Sequence, residues 1–234
     1  MTELEFINIC QDNGLKLSEQ QLYQLNLYCN LLNEKNKVMN LTAITEKDAV
    51  YEKHFLDSLL FSFDLDFDKK KLIDVGTGAG FPGLVLAICY PCLQVYLLEP
   101  LNKRCLFLEE VVNALKLNNV TIINQRCEDY ALKNREVFDY ATARAVKKLN
   151  ILIELIIPLL KVNGVFIALK GPQAYQEIEE AQSAFKLLNC SVKKIEEKRL
   201  LTDNDQRINL FIIKNQRSAN KFPRRYSQIA KKPL

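Results

Sequence analysis

From residue 71 onward, short apolar runs alternate with longer amphipathic stretches. Runs at 71–75, 94–98, 120–125, 137–142 and 164–169 read as strands, and the stretches 82–90, 102–116, 146–160 and 173–188 as helices. Strands alternating with helices give a mostly parallel sheet with right-handed crossovers. The end of the chain breaks this rhythm. Val192 to Leu201 and Ile208 to Lys214 are extended runs joined only by the polar turn Thr202-Asp203-Asn204-Asp205. So short a link requires an antiparallel hairpin. Ahead of the sheet, residues 3–40 read as helical: Leu22, Leu25, Tyr28, Cys29 and Leu32 recur at spacings of three and four, and Ser18 with Gln21 fits a capping box. Asn40-Leu41-Thr42 interrupts that pattern. A further helix, opened by Thr45 with Asp48, runs through Tyr51, Phe55, Leu56 and Leu59. The expected division is a helical cap over 1–62, a core over 63–214 and a tail over 215–234.

The first predicted strand ends in Asp74-Val75-Gly76-Thr77-Gly78-Ala79-Gly80-Phe81-Pro82-Gly83, and Leu84-Val85-Leu86-Ala87-Ile88 follows as a buried helix. A glycine turn between strand and helix lets a ligand lie against bare backbone, with unpaired N–H groups of the helix start facing it. This is the cofactor position of a doubly wound sheet. Dinucleotide-binding strands usually run apolar up to the first glycine. Asp74 departs from that, and a carboxylate there suits the ammonium and sulfonium of S-adenosylmethionine. Glu99, closing the second strand, is placed to accept the hydroxyls of a ribose. Nicotinamide enzymes share that second acid, so an NAD(P)-dependent oxidoreductase is the rival reading. A non-catalytic RNA-binding protein is another.

Ligands in such sheets sit beyond the carboxyl ends of the strands. Those ends supply Gly76 to Phe81, then Glu99 with Lys103, then Arg126, Cys127 and Glu128, then Arg144, and finally Lys170 and Gly171. The acids suit ribose and an adenine amino group. The cations Arg126, Arg144 and Lys170, with Arg207 from the hairpin, suit phosphates or a base edge. His54 and Asp57 lie three apart on a helix face, as a general-base pair or as a histidine that holds a turn.

Charge adds a partner class. Residues 214–234 carry Lys214, Arg217, Lys221, Arg224, Arg225, Lys231 and Lys232 with no acid, leaving 25 basic against 28 acidic residues elsewhere. A basic tail on a near-neutral body points to a polyanion, most simply nucleic acid. No apolar run approaches the ~18 residues of a membrane span. Seven scattered cysteines fit a reducing compartment, the cytoplasm. Cys89 and Cys92 form an isolated C-x-x-C with no second pair, so no metal site is expected.

These residues resemble a known family. Asn40-Leu41-Thr42, His54-Phe55-Leu56-Asp57-Ser58, the glycine segment with Phe81-Pro82-Gly83, Lys103-Arg104, Ala143-Arg144-Ala145, Ala168-Leu169-Lys170-Gly171, Lys221-Phe222-Pro223-Arg224-Arg225 and Lys232-Pro233-Leu234 are similar to those of the bacterial 16S rRNA guanine-N7 methyltransferases (the RsmG or GidB family). The resemblance implies an α/β fold, the class I S-adenosylmethionine-dependent methyltransferase: a Rossmann-like seven-stranded sheet with its last hairpin antiparallel and an N-terminal helical extension. It implies cofactor contacts at Gly76, Phe81, Cys127, Glu128 and Arg144; the glycine turn and the strand ends add Gly78 and Glu99 to the cofactor contacts and set Lys170 beside Arg144 at the reaction centre. Lys103, Arg126, Lys170, Arg207, Lys221, Arg224 and Arg225 are the expected RNA contacts. The implied partner is 16S rRNA of the small ribosomal subunit, met by a monomer.

Overall fold

A computed structural model describes residues 1–144, 147–201 and 205–234. Residues 202–204 of the expected hairpin turn, and Ala145, lie outside them. The strands are β1 (Lys71–Val75), β2 (Gln94–Leu98), β3 (Val120–Ile123), β4 (Phe138–Arg144), β5 (Leu160–Lys170), β6 (Cys190–Arg199) and β7 (Gln206–Lys214). They form one sheet in the order β3-β2-β1-β4-β5-β7-β6. The first five are parallel, and β7 runs antiparallel between β5 and β6. The order reverses between β1 and β4, so the crevice of a doubly wound sheet opens above those two strands.

One face is covered by α1 (Glu3–Asp12), α2 (Glu19–Met39), α5 (Gly83–Cys89), α6 (Asn102–Ala114) and a helical segment over 47–59. That segment comprises α3 (Lys47–Val50), a π-helical turn (Tyr51–Leu56) and α4 (Asp57–Leu59). The N-terminal helices share an apolar layer with α5 and the sheet rather than standing off as a lobe. Tyr28 of α2 stacks on Phe55 at 5.7 Å and on Phe81 at 5.3 Å between ring centroids. Both capping boxes close, at Thr2 with Glu5 and at Ser18 with Gln21, so the span over 3–40 is two helices rather than one.

The other face carries α7 (Cys127–Lys133), α8 (Leu149–Ile156), α9 (Ala174–Glu180), α10 (Gln182–Leu188) and α11 (Tyr226–Lys231). The helix expected over 173–188 is split at Ala181. The basic segment after β7 folds back over α8. Phe222 and Ile229 enter the apolar layer. The Arg224 side chain lies on the fully buried Glu154 with Nε–Oε1 at 2.7 Å and Nη2–Oε2 at 2.6 Å, and its backbone N–H donates to the same carboxylate at 3.0 Å. Arg135 donates to the carbonyls of Ser218 and Phe222. Among the described residues no helix is long and apolar enough to cross a membrane.

Candidate functional site

The glycine turn is fixed from beneath by Asp74. This carboxylate is fully buried, which raises its pKa. Oδ2 accepts from the Thr77 hydroxyl at 2.6 Å and from the Gly83 N–H at 3.0 Å. Oδ1 accepts from Thr142, which the β1–β4 register sets opposite, at 3.0 Å. Three partners inside the protein take up the charge, so Asp74 does not meet a cationic ligand end as the sequence suggested. It braces the turn instead.

Most of the turn's backbone donors are engaged as well. Gly76 and Thr77 donate to the Leu98 carbonyl, Gly80 and Phe81 to the Thr77 carbonyl, and Leu84 to the Gly80 carbonyl. Gly78 donates to Glu99 Oε2 at 3.1 Å. Little remains of the anion seat that the sequence led one to expect at the start of α5. A pyrophosphate needs such a row of free N–H groups, whereas a ligand without phosphate does not. The space above the turn is open: a Cβ on Gly78 would meet nothing nearer than the Gly76 carbonyl at 4.0 Å.

Two adjoining hollows lie over this turn, sharing Gly76 and Pro100. A cleft of about 590 Å³ is lined by Gly76, Gly78, Phe81, Glu99, Arg104 and Arg144, and also by Thr42 and His54. Glu99 is 2% exposed; its two oxygens accept from the Gly78 and Leu101 N–H groups, one each. A carboxylate has about four acceptor positions, so it retains capacity for hydroxyls. The second hollow, about 320 Å³, is walled by Arg126, Cys127, Glu128, Leu152 and Tyr226. Tyr226 comes from the C-terminal segment, with the Arg126 guanidinium 6.0 Å and the Lys147 ammonium 5.6 Å from its ring centre.

A third hollow, about 640 Å³, meets the cleft at His54 and Arg144. Its lining sets six cations (Lys53, Arg144, Lys147, Lys148, Lys170 and Arg207) against the two carboxylates Asp57 and Glu177. Arg144, at the end of β4 and 17% exposed, stands between the two spaces. It donates to Asp57 Oδ2 at 3.1 Å and to the Lys53 carbonyl at 3.4 Å, and lies 5.0 Å over the Phe81 ring. Arg207 donates to the other Asp57 oxygen at 2.9 Å.

His54 stacks on Phe81 at 4.4 Å. Its Nδ1 is 3.3 Å from Arg144 Nη2 and its Nε2 is 2.8 Å from Thr42 Oγ1. Burial first, and then the Arg144 charge, pull its pKa from 6.5 to about 3, so the ring is neutral. His54 and Asp57 do work on one face, but they meet through Arg144 rather than each other.

The structure gathers Gly76, Gly78, Phe81, Glu99, Cys127, Glu128, Arg126, Arg144, Lys170 and Arg207 around these spaces. Lys170 is 8% exposed and held by Glu177 at 2.7 Å and the Lys147 carbonyl at 2.7 Å, which makes it part of the pocket wall. Lys103 is exposed on α6 and lines none of the three hollows; its neighbour Arg104 does. Lys221 and Arg225 are exposed near α11, while the Arg224 guanidinium is committed to Glu154. Thr42, Arg104, Lys147 and Tyr226 line these spaces without having been expected as site residues. Thr42 and Arg104 lie in the stretches Asn40-Leu41-Thr42 and Lys103-Arg104 that carry the resemblance; Lys147 and Tyr226 had no signal along the chain.

Residues 21–209 match the GidB family, described as rRNA small subunit methyltransferase G. A protein named ribosomal RNA small subunit methyltransferase G from Bacillus velezensis is 42% identical over 233 residues, covering 98% of each chain. One of the same name from Mycoplasma capricolum is 47% identical over 210 residues, covering 89% of each chain. Among solved structures, M. jannaschii TYW2 in complex with AdoMet has a TM-score of 0.57 at 17% identity, over 74% of this chain and 79% of that one. The SAM-dependent O-methyltransferase of Thermotoga maritima has a TM-score of 0.54 at 19% identity, over 80% and 72%. Likenesses at that identity bear on the fold, which is the class I methyltransferase fold.

Proposed function

The chain belongs to the rRNA small subunit methyltransferase G family, and from that premise we propose that it transfers a methyl group from S-adenosylmethionine to N7 of a guanine in 16S rRNA. The observation that carries this reading is the junction at Arg144 and His54 between the cleft over the glycine turn and a cation-lined pocket. The donor supplies an activated methyl on a sulfonium sulfur. Glu99 suits its ribose, and the hollow at Cys127, Glu128 and Tyr226 suits its adenine. A dinucleotide is disfavoured because most of the loop's N–H groups have internal partners.

Guanine N7 carries a lone pair and no proton, so the reaction requires no general base. The site agrees: His54 is neutral with both nitrogens engaged, and Asp57 is held between two guanidinium groups. The protein's contribution is alignment and exclusion of water. Arg144, clamped by Asp57 and backed by Phe81, directs its remaining N–H capacity at O6 or a phosphate of the incoming nucleotide. Lys147 and Lys148 are the exposed cations of the pocket, and Arg126, Lys221, Arg225 and Lys103 extend the basic surface around it. Arg207 and Lys170 shape its wall. We take the enzyme to act in the cytoplasm as a single chain on the small subunit or its RNA.

The test is transfer of labelled methyl from S-adenosylmethionine to small-subunit RNA, followed by mass mapping of nucleosides. The expected product is a single 7-methylguanosine. Transfer to a pyrimidine or to an adenine would overturn the assignment, and an Arg144→Ala enzyme working at the normal rate would remove Arg144 from the centre.

A further inference from the structure

The loop after α2 contributes one polar side chain to the donor cleft, and its hydrogen-bond roles can be derived by counting. Arginine only donates. The Lys53 carbonyl also neighbours the ring, but it already accepts from Arg144 Nη1, and a proton on Nδ1 would face the Arg144 N–H 3.3 Å away; Arg144 Nη2 therefore donates to His54 Nδ1, and the single ring proton of the neutral imidazole lies on Nε2. Nε2–H must then donate to Thr42 Oγ1, 2.8 Å away. The Ile44 backbone N–H donates to the same oxygen at 3.0 Å. Both lone pairs of the hydroxyl are thereby occupied, and its O–H is left as a donor. The residue itself is immobilised: the Asn36 carboxamide donates to the Thr42 carbonyl at 2.7 Å and accepts from its N–H at 2.9 Å. Thr42 lines the cleft together with Gly76, Glu99 and Arg144.

We propose that Thr42 is a donor-binding residue whose hydroxyl hydrogen-bonds the methionine carboxylate of S-adenosylmethionine. This rests on the reading of the cleft as the methyl-donor site. With adenine at Cys127 and ribose at Glu99, the amino-acid end of the donor extends along the cleft towards Thr42 and Arg144. At that end the ammonium donates and the sulfonium has no hydrogen to give and no acceptor site; the carboxylate alone accepts. The chain Asp57–Arg144–His54–Thr42 thus has a directional function. Asp57 orients the guanidinium, the guanidinium fixes the imidazole tautomer, and the tautomer turns the hydroxyl outward. The segment that links the N-terminal helices to the sheet would be sensed by the donor through this single hydrogen bond.

The experiment is calorimetric binding to the full chain, comparing S-adenosylmethionine with its decarboxylated form, which differs only by the missing carboxylate. A charge-assisted hydrogen bond predicts about a tenfold weaker affinity of Thr42→Val for S-adenosylmethionine. The decarboxylated donor should bind the variant within about twofold of wild type, which also reports that the variant is folded. Thr42→Ser should restore affinity. Thr42→Cys, which keeps an acceptor atom for His54 and Ile44 but donates weakly, should shift the two ligands as Thr42→Val does and serves if valine is not tolerated. Equal weakening of both ligands, or of neither, overturns the proposal. A wild-type chain that binds neither ligand overturns instead the assignment of the cleft to the methyl donor.

Discussion

Arg224→Ala removes the partner of a carboxylate that has no access to water. Glu154 is 0% exposed and receives two charge-assisted hydrogen bonds from the guanidinium, at 2.7 and 2.6 Å. Its third, from the Arg224 backbone N–H at 3.0 Å, survives the substitution. Breaking a buried ion pair from one side costs about 3–5 kcal/mol, because the remaining charge stays buried and uncompensated. Against a typical total of ~5–15 kcal/mol this is a large share. For a chain of this length it corresponds to a fall of roughly 6–20 °C in melting temperature. Equilibrium urea unfolding of wild type, Arg224→Ala and the doubly substituted Glu154→Met/Arg224→Met reads it directly. The double substitution should recover most of the loss, since an apolar pair of similar volume no longer has a charge to hide. Tyr226 lies two residues beyond Arg224, so the single variant should also bind S-adenosylmethionine more weakly. A loss below about 1 kcal/mol would refute a structural role for the Arg224–Glu154 pair. A large loss of stability with unchanged donor affinity would show that the Tyr226 wall does not depend on it.

Tyr226→Ala, which opens the hollow proposed for adenine without touching the Arg224–Glu154 pair, should raise the Kd for S-adenosylhomocysteine several-fold while the melting temperature moves little; an unchanged Kd removes the residue from the site. In Gly83→Ala the new Cβ would sit 2.3 Å from Leu97 Cδ2 and 3.0 Å from Asp74 Oδ2. Overpacking costs ~1–3 kcal/mol, and the displaced Asp74 should lower donor affinity in the same titration. His54 is held to about 3 in the fold against 6.5 ordinarily. Below pH 6.5 the unfolded chain therefore takes up a proton that the folded one refuses. Stability should fall as pH drops from 6.5 towards 3, with a slope approaching ~1.4 kcal/mol per pH unit. His54→Gln should flatten that part of the profile in acid unfolding, and a slope that persists unchanged assigns it to other groups.

The sheet was legible because its signals are local. Apolar runs bounded by polar turns gave the strands, and the short link between the last two required the antiparallel pairing that β6 and β7 show. The strand-end argument brought Glu99, Cys127, Glu128, Arg126, Arg144 and Lys170 to one edge because each follows a strand of a parallel sheet. What sequence could not reveal is which bonds a polar group has already spent. Asp74 looked like a ligand contact, yet Thr142 reaches it from 68 positions away across the sheet register. The basic tail looked like a free polycation, yet Arg224 answers a glutamate that sits inside an apolar helix and gave no sign of its need. Tyr226, and the role of Thr42, were hidden for the same reason: their neighbours in the site come from distant segments, and no spacing along the chain records that.

Glu154 and Arg224 are separated by 70 residues, and a polypeptide is made from one end. During synthesis the glutamate exists well before the arginine does. Over that interval α8 cannot settle against the sheet without burying a bare negative charge, so its docking must await the segment that follows the last strand. The Tyr226 wall and the back of the sheet would then consolidate together, late, as one event. A nascent chain would expose the second apolar layer until that moment, whereas the last buried residue of the layer under α2 and α5 is Phe211, in β7.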